Sequence, residues 1–394
     1  MPFKEIVKGV YSVGVNEKDL VLFDALIPLP DGTSYNSYLV RGSEKTALID
    51  TVEQNKTAEF LANLAELKVS KIDYVVANHA ERDHSGSLVA VLESFPGATL
   101  VTNAKCREMI QDSLPVPDEK FLVVPDRGTL SLGDRTLEFI LAPWVHWPET
   151  MFTHLKEDHI LFTCDFLGSH VSLDKPSIDE SLLRRASKRY YAEIMMPYRG
   201  MARKALEKVR AVSPKIVAPS HGPVHVDPAP LIRLYDEWTS ESVRNKVIVA
   251  HVSTHGHTME MVRVLIRALE AKHIEVRAFN LPEADIGEIA IELVDAATLV
   301  MASPTILGGP HPQAVSATYL VDLLKPKIRF AAIIGSYGWG GKAIDELSKM
   351  FVHIKPEILG SVSVRGNPKD TDCRALDCLA ETILQKHRSI GIAP

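Results

Sequence analysis

The sequence predicts an α/β protein of two domains, the second a doubly wound parallel sheet of five strands. Three observations lead there. Short apolar runs alternate with amphipathic helical stretches along the chain. From residue 246 onward the alternation is strict, strand then helix five times over. At 394 residues the chain is long enough for two domains, each with its own core. A hydrophobic share of 46% and a charged share of 24% are ordinary for a globular protein. The boundary is expected at about residue 244, giving domains 1–244 and 245–394.

In the first domain, residues 35–40 and 46–50 read as strands either side of the turn Gly42-Ser43-Glu44-Lys45. A helix is expected over 56–67, with Phe60, Leu61, Leu64 and Leu67 on one face. Strands follow at 72–77, 99–102, 121–124, 136–141, 160–163 and 215–218, and a helix at 230–240. In the second domain the strands are 246–252, 275–281, 297–303, 328–335 and 356–364. Its helices begin near Thr258, Ile286, Gln313, Lys342 and Thr371.

The strand at 72–77 runs into His79-Ala80-Glu81-Arg82-Asp83-His84, four metal-binding side chains in six residues. A locally extended chain sends His79, Glu81 and Asp83 the same way, and a turn brings His84 to the other side of one pocket. Imidazoles and carboxylates without a thiolate suit iron or manganese better than a structural zinc. Three further candidates follow strands: His146 after Leu141, Asp165 after Thr163, and His221 after Ala218.

The hexad resembles the H-x-[HE]-x-D-H signature of the metallo-β-lactamase fold, an αββα sandwich. Hydrolases of that fold usually carry His at the third position. Glu81 there is similar to the flavodiiron proteins (A-type flavoproteins), as are the strings His146-Trp147-Pro148 and Pro219-Ser220-His221-Gly222. The resemblance implies one iron held by His79, Glu81 and His146, another by Asp83, His84 and His221, and Asp165 bridging them. His225 is set aside in favour of His221. His170 and Tyr190 are read either as hydrogen-bond donors to a bound substrate or as packed polar side chains.

In the second domain, Ser253-Thr254-His255-Gly256-His257-Thr258 leads from a strand into a helix. Hydroxyls, a glycine and a helix N-terminus make an anion cradle. No P-loop lysine and no G-x-G-x-x-G is present, which argues against a nucleoside triphosphate or a dinucleotide. The string resembles the flavodoxin loop for the phosphate of FMN. Pro304-Thr305-Ile306-Leu307-Gly308 and Ser336-Tyr337-Gly338-Trp339-Gly340-Gly341 end the third and fourth strands, where doubly wound sheets bind ligands. They look like isoalloxazine-binding loops, with Tyr337 or Trp339 covering the ring; the alternative is that Trp339 is core. His255 and His257 stand where many relatives have an aromatic and an Asn, and Leu307-Gly308-Gly309 replaces a more polar stretch.

The resemblance implies an oxidoreductase reducing dioxygen to water, nitric oxide to nitrous oxide, or both, with FMN and two non-haem iron ions. It implies a separate electron donor (rubredoxin or reduced deazaflavin) and a head-to-tail homodimer or dimer of dimers. Two alternatives stand beside it: a lactamase-fold hydrolase with a regulatory flavodoxin-like domain, and a plain electron carrier with a vestigial metal site. A net charge of −6 gives no reason to expect nucleic acid as partner. No apolar run nears the roughly 20 residues that span a bilayer, and the N-terminus lacks a signal-like apolar core, so a cytoplasmic location is expected. Cys106, Cys164, Cys373 and Cys378 form no C-x-x-C pair; the last two are expected as small buried side chains on a helix, and Cys164 as packing.

Overall fold

A computed structural model describes residues 3–175 and 177–394. The chain divides into two compact units, Met1–Thr239 and Ser240–Pro394. Residue 244 is the first of the strand Arg244–His251.

The first unit is a sandwich of two sheets with helices outside. One sheet has seven strands. Lys4–Val7, Val10–Ser12, Tyr38–Arg41 and Thr46–Ile49 pair antiparallel; Tyr74–Val76, Thr99–Thr102 and Phe121–Val123 continue parallel. The other sheet runs Thr129–Ser131, Thr136–Leu141, Met151–Leu155, Ile160–Cys164 and Ile216–Pro219, only the last pair parallel. Alternation along the strands sorts the side chains. Tyr38, Val40, Ile49 and Val76 meet Phe139, Met151, Ile160 and Phe162 between the sheets. Leu39, Leu48, Val75 and Leu100 face outward onto Phe60, Leu64, Leu88 and Ile110 of the helices. On the far side, Phe152 stacks on Phe166, which meets Tyr235 of the helix Ala229–Thr239 edge-on. Each such buried aromatic or aliphatic side chain contributes about 1.5–3 kcal/mol. This is the metallo-β-lactamase-like αββα architecture.

The second unit is flavodoxin-like. Its parallel strands lie in the order Glu275–Asn280, Arg244–His251, Ala296–Ile306, Phe330–Tyr337, Glu357–Arg365. Val247 and Val249 pack with Met261, Leu265, Leu376 and Ile383 on one face. Ile248, Ala250, Leu299 and Met301 pack with Ile289, Leu293, Ala314 and Val321 on the other. Near-continuous apolar strands covered on both faces are what parallel sheets require.

Several expectations are corrected. The strand expected at 35–40 is two, Thr33–Tyr35 and Tyr38–Arg41, pairing in different sheets because the chain breaks at Asn36 to hydrogen-bond Pro219 and Gly222. The third strand of the second unit does not stop at 303. It runs to Ile306 and folds back on Gly309–Pro310 through a two-residue turn. Cys378 is exposed and Cys373 half-buried. The helix Asp370–Ser389 buries Leu376, Leu379, Ala380 and Ile383 instead, leaving Cys378 on its wet side. All four cysteines are free. Among the described residues, no helix is long and apolar enough to cross a membrane.

Candidate functional site

The hexad is not extended throughout. The chain is extended up to Glu81 (ψ 146°) and turns helical over Arg82–Ser85. Parity therefore holds for His79 and Glu81 and fails for Asp83, which leaves with His84 in another direction. Two ligand groups result: His79, Glu81, His146 and Asp165, and Asp83, His84 and His221. Cys164 also lies close to His84 and Asp165, but burial and the Asp165 charge hold it as a neutral thiol.

Asp165 joins them. Its Oδ2 lies 3.5 Å from His79 Nε2 and 3.6 Å from His146 Nε2. Its Oδ1 lies 3.0 Å from His84 Nε2 and 3.3 Å from His221 Nε2. Glu81 Oε2 completes the first group at 3.0 Å from His79 and 3.1 Å from His146. Asp83 completes the second, 3.3 Å from His84 and 3.1 Å from His221. Donor atoms about 3.0–3.4 Å apart are the edges of a polyhedron with metal bonds near 2.1 Å. Both Asp83 oxygens and both His84 nitrogens are buried without a hydrogen-bond partner. Such orphaned groups are costly unless a cation completes them. The residues fit a pair of cations, and the all-nitrogen-and-oxygen donor set fits iron.

Electrostatics say the same. Burial alone would depress the imidazole pKa values, yet Asp165 with Glu81 holds His146 up at about 9, and Asp165 with Asp83 holds His221 up at about 10. Burial would raise Asp165, but His84, His146 and His221 pull its carboxyl well below the usual range. A buried carboxylate cluster demands positive charge, and protons supply it where metal does not.

Local structure places each ligand. Asp165 and His221 follow strands paired parallel, with Ser220 N–H donating to Cys164 C=O. Gly222 after His221 has φ +78°, and a Cβ there would lie 2.2 Å from Ser169 Oγ, so only glycine fits. His221 Nδ1–H donates to Ser34 C=O at 2.7 Å, which leaves Nε2 free as a ligand. Tyr190 O–H donates to Asp165 Oδ1 at 3.0 Å. His170 packs 4.8 Å from Tyr190 and 5.0 Å from His221 (ring centroids), with Nδ1 2.9 Å from Thr33 Oγ1. His225 lies outside both groups; burial lowers its pKa to about 4. An open cleft of ≈ 410 Å³ reaches Glu81 and Asp83 past Phe23, Asp24, Tyr35 and Trp147. Sequence reasoning missed Ser34, Thr33 and Glu149, the last 2.6 Å from His79 Nδ1. Glu149 sits three residues after His146, the only local signal for it.

In the second unit, Ser253 Oγ accepts from Met259 N–H at 3.2 Å, and Thr258 shares a 2.8 Å hydrogen bond with Ser336. That bond ties the first turn of the helix His257–Glu270 to the end of the fourth strand, Phe330–Tyr337. Thr254, His255 and Gly256 are exposed ahead of the helix His257–Glu270. In the other loop Leu307 (φ +51°) and Gly308 (φ +86°) make a type I′ turn, and Leu307 is 96% exposed. Trp339 is 75% exposed, so it is not core. Hydroxyls and open backbone at a helix start, beside exposed apolar side chains on neighbouring loops, fit a flat ring bearing a phosphate.

Fold and site together define a lactamase-fold binuclear metal domain joined to a flavodoxin-like domain. A family model described as ODP family beta lactamase matches residues 33–222. The nitric oxide reductase of Moorella thermoacetica is 32% identical over 364 residues, 90% of each chain. Among solved structures, the rubredoxin oxygen:oxidoreductase of Desulfovibrio gigas superposes with TM-score 0.93 at 28% identity, covering 98% of this chain and 99% of that one. The flavodiiron protein of Giardia intestinalis does so with TM-score 0.90 at 28% identity, covering 100% and 99%. The chain belongs to the flavodiiron protein family.

Proposed function

We propose that this protein is a flavodiiron oxidoreductase that reduces dioxygen to water, nitric oxide to nitrous oxide, or both. The observation that carries the reading is Asp165, which offers one oxygen to each of two ligand groups. His79, Glu81 and His146 would hold one iron and Asp83, His84 and His221 the other, with Asp165 between them. Ser253 to Thr258 would hold the FMN phosphate, and Pro304 to Gly308 with Ser336 to Gly341 its ring. Bound there, two ferrous ions and a reduced flavin supply the four electrons that take dioxygen to two waters, or the two that join two nitric oxides.

The chain's own residues prepare the site. Tyr190, kept protonated by burial and by the Asp165 charge, donates to Asp165 Oδ1 and fixes the tilt of that carboxylate. Phe23 and Trp147 line the cleft that leads to Glu81 and Asp83. His170 stays neutral because burial, and then His221, lower its pKa well below the usual imidazole value. It therefore adds no charge to the cluster.

Electrons enter from outside the chain, from rubredoxin or a reduced deazaflavin. Two copies pair head-to-tail, or as a dimer of such dimers, so that one chain's flavin serves the partner's iron. Exposed Leu307 and Trp339 on the flavin loops support such pairing. Glu81 in place of a third hexad histidine speaks against the hydrolase alternative. The test is iron and FMN analysis of purified protein, followed by anaerobic turnover with dioxygen and nitric oxide side by side, using a chemically reduced donor. About two irons and one FMN per chain with rapid gas consumption are expected. Zinc, no yellow chromophore and no turnover of either gas would refute the assignment.

A further inference from the structure

The imidazoles of the metal centre are not anchored alike. A carboxylate only accepts, so the 2.6 Å contact between His79 Nδ1 and Glu149 Oε1 puts the proton on Nδ1 and turns the Nε2 lone pair toward Glu81 and Asp165. The same Oε1 accepts Ala80 N–H at 3.0 Å. Asn103 Nδ2 donates to the Glu149 carbonyl at 2.6 Å, fixing its backbone. The carboxylate is fully buried beside the site. In the other ligand group His221 Nδ1 leans on a neutral backbone carbonyl, and His84 Nδ1 is buried with no hydrogen-bond partner behind it. Asp50 is the other carboxylate behind the hexad, and its oxygens take Asn78 N–H and Nδ2 at 2.8 and 2.9 Å.

An anionic partner behind an imidazole fixes its orientation and makes it a stronger donor to a metal. We propose that Glu149 is a positioning residue for the metal position formed by His79, Glu81 and His146, and that it makes this the tighter of the two positions. The inference rests on the diiron reading above.

Flavin-loaded protein, stripped of metal by chelation, would be equilibrated anaerobically with chelator-buffered ferrous iron and its bound iron counted per chain. The wild type takes up two equivalents. In Glu149→Gln, whose amide oxygen still accepts the Ala80 N–H, one equivalent weakens by about 10–100-fold while the other is unchanged. Glu149→Asp keeps the charge on a shorter arm and weakens that same equivalent by less. Equal weakening of both equivalents in either variant, or of neither, overturns the proposal, and a purely structural role predicts the former. A wild type that binds fewer than two irons sinks the diiron reading instead, so the two failures are distinguishable.

Discussion

Asp165 is the residue on which the two ligand groups depend jointly, whereas Glu81 serves one of them. Glu81→Ala is therefore expected to leave the Asp83, His84 and His221 group assembled and to empty the other. Iron content should fall toward one per chain. Dioxygen consumption should fall by at least the roughly 10–100-fold that loss of a mere outer partner costs; an unchanged rate would return the metal site to a vestigial role. A second prediction concerns His387, 0% exposed on the last helix. Asn245 Nδ2 donates to His273 C=O, so its Oδ1 accepts from His387 Nδ1–H at 2.7 Å, and Nε2 accepts from the Thr298 hydroxyl at 2.7 Å. Burial lowers the pKa to about 4. The folded state keeps this ring neutral while the unfolded chain protonates it near pH 6.5. Its contribution is thus complete above about pH 6.5 and shrinks as pH falls toward about 4, by about 1.4 kcal/mol per unit. Urea unfolding at pH 7 and pH 5 should show the wild type losing about 2 kcal/mol more than His387→Gln. At this scale the side chains proposed as ligands could be named from the sequence because each lies in a short local string after a strand. Glu149, Thr33 and Ser34 were not, because their partners stand 70 to 188 residues away.

Element by element, length alone did not decide what was legible. The three-residue strands Tyr74–Val76 and Phe121–Val123 lie within expected runs, whereas the strand Met151–Leu155 and the helix Arg199–Val212 were not expected. The strands Thr99–Thr102 and Thr136–Leu141 coincide with the expected spans. The N-terminal strands of two to four residues, such as Leu22–Phe23 and Ile27–Pro28, are too short to show any period. They owe their form to pairing with each other. The turn after Ile306 was hidden for a different reason. A type I′ turn favours Asn-Gly, and here the first turn position holds Leu307, whose positive φ costs a branched residue energy. Leu307→Asn is expected to stabilise the protein by about 0.5–1 kcal/mol in urea unfolding. If Leu307 also lies in a contact between copies, the same variant shifts sedimentation toward monomer.

For the whole molecule, the division into two units was legible from the change to strict strand–helix alternation, a signal that needs no long-range contact. How copies associate leaves no such periodic trace, since it depends on surface shape. The proposed pairing makes donor-driven turnover depend on concentration. Dilution below the dimer dissociation constant should lower turnover per chain while flavin and iron content hold. Constant specific activity in samples that sediment as monomers would rule the pairing out.

Six consecutive residues, 79–84, serve both ligand groups across a change from extended to helical backbone between Glu81 and Arg82. Dropping or adding one residue there would rotate the following turn by about 100° and misdirect Asp83 and His84 together. The length of the stretch is thus fixed as firmly as its ligands, and buried Ala80, whose N–H goes to Glu149 and whose carbonyl accepts from Ser85, pins the register between them.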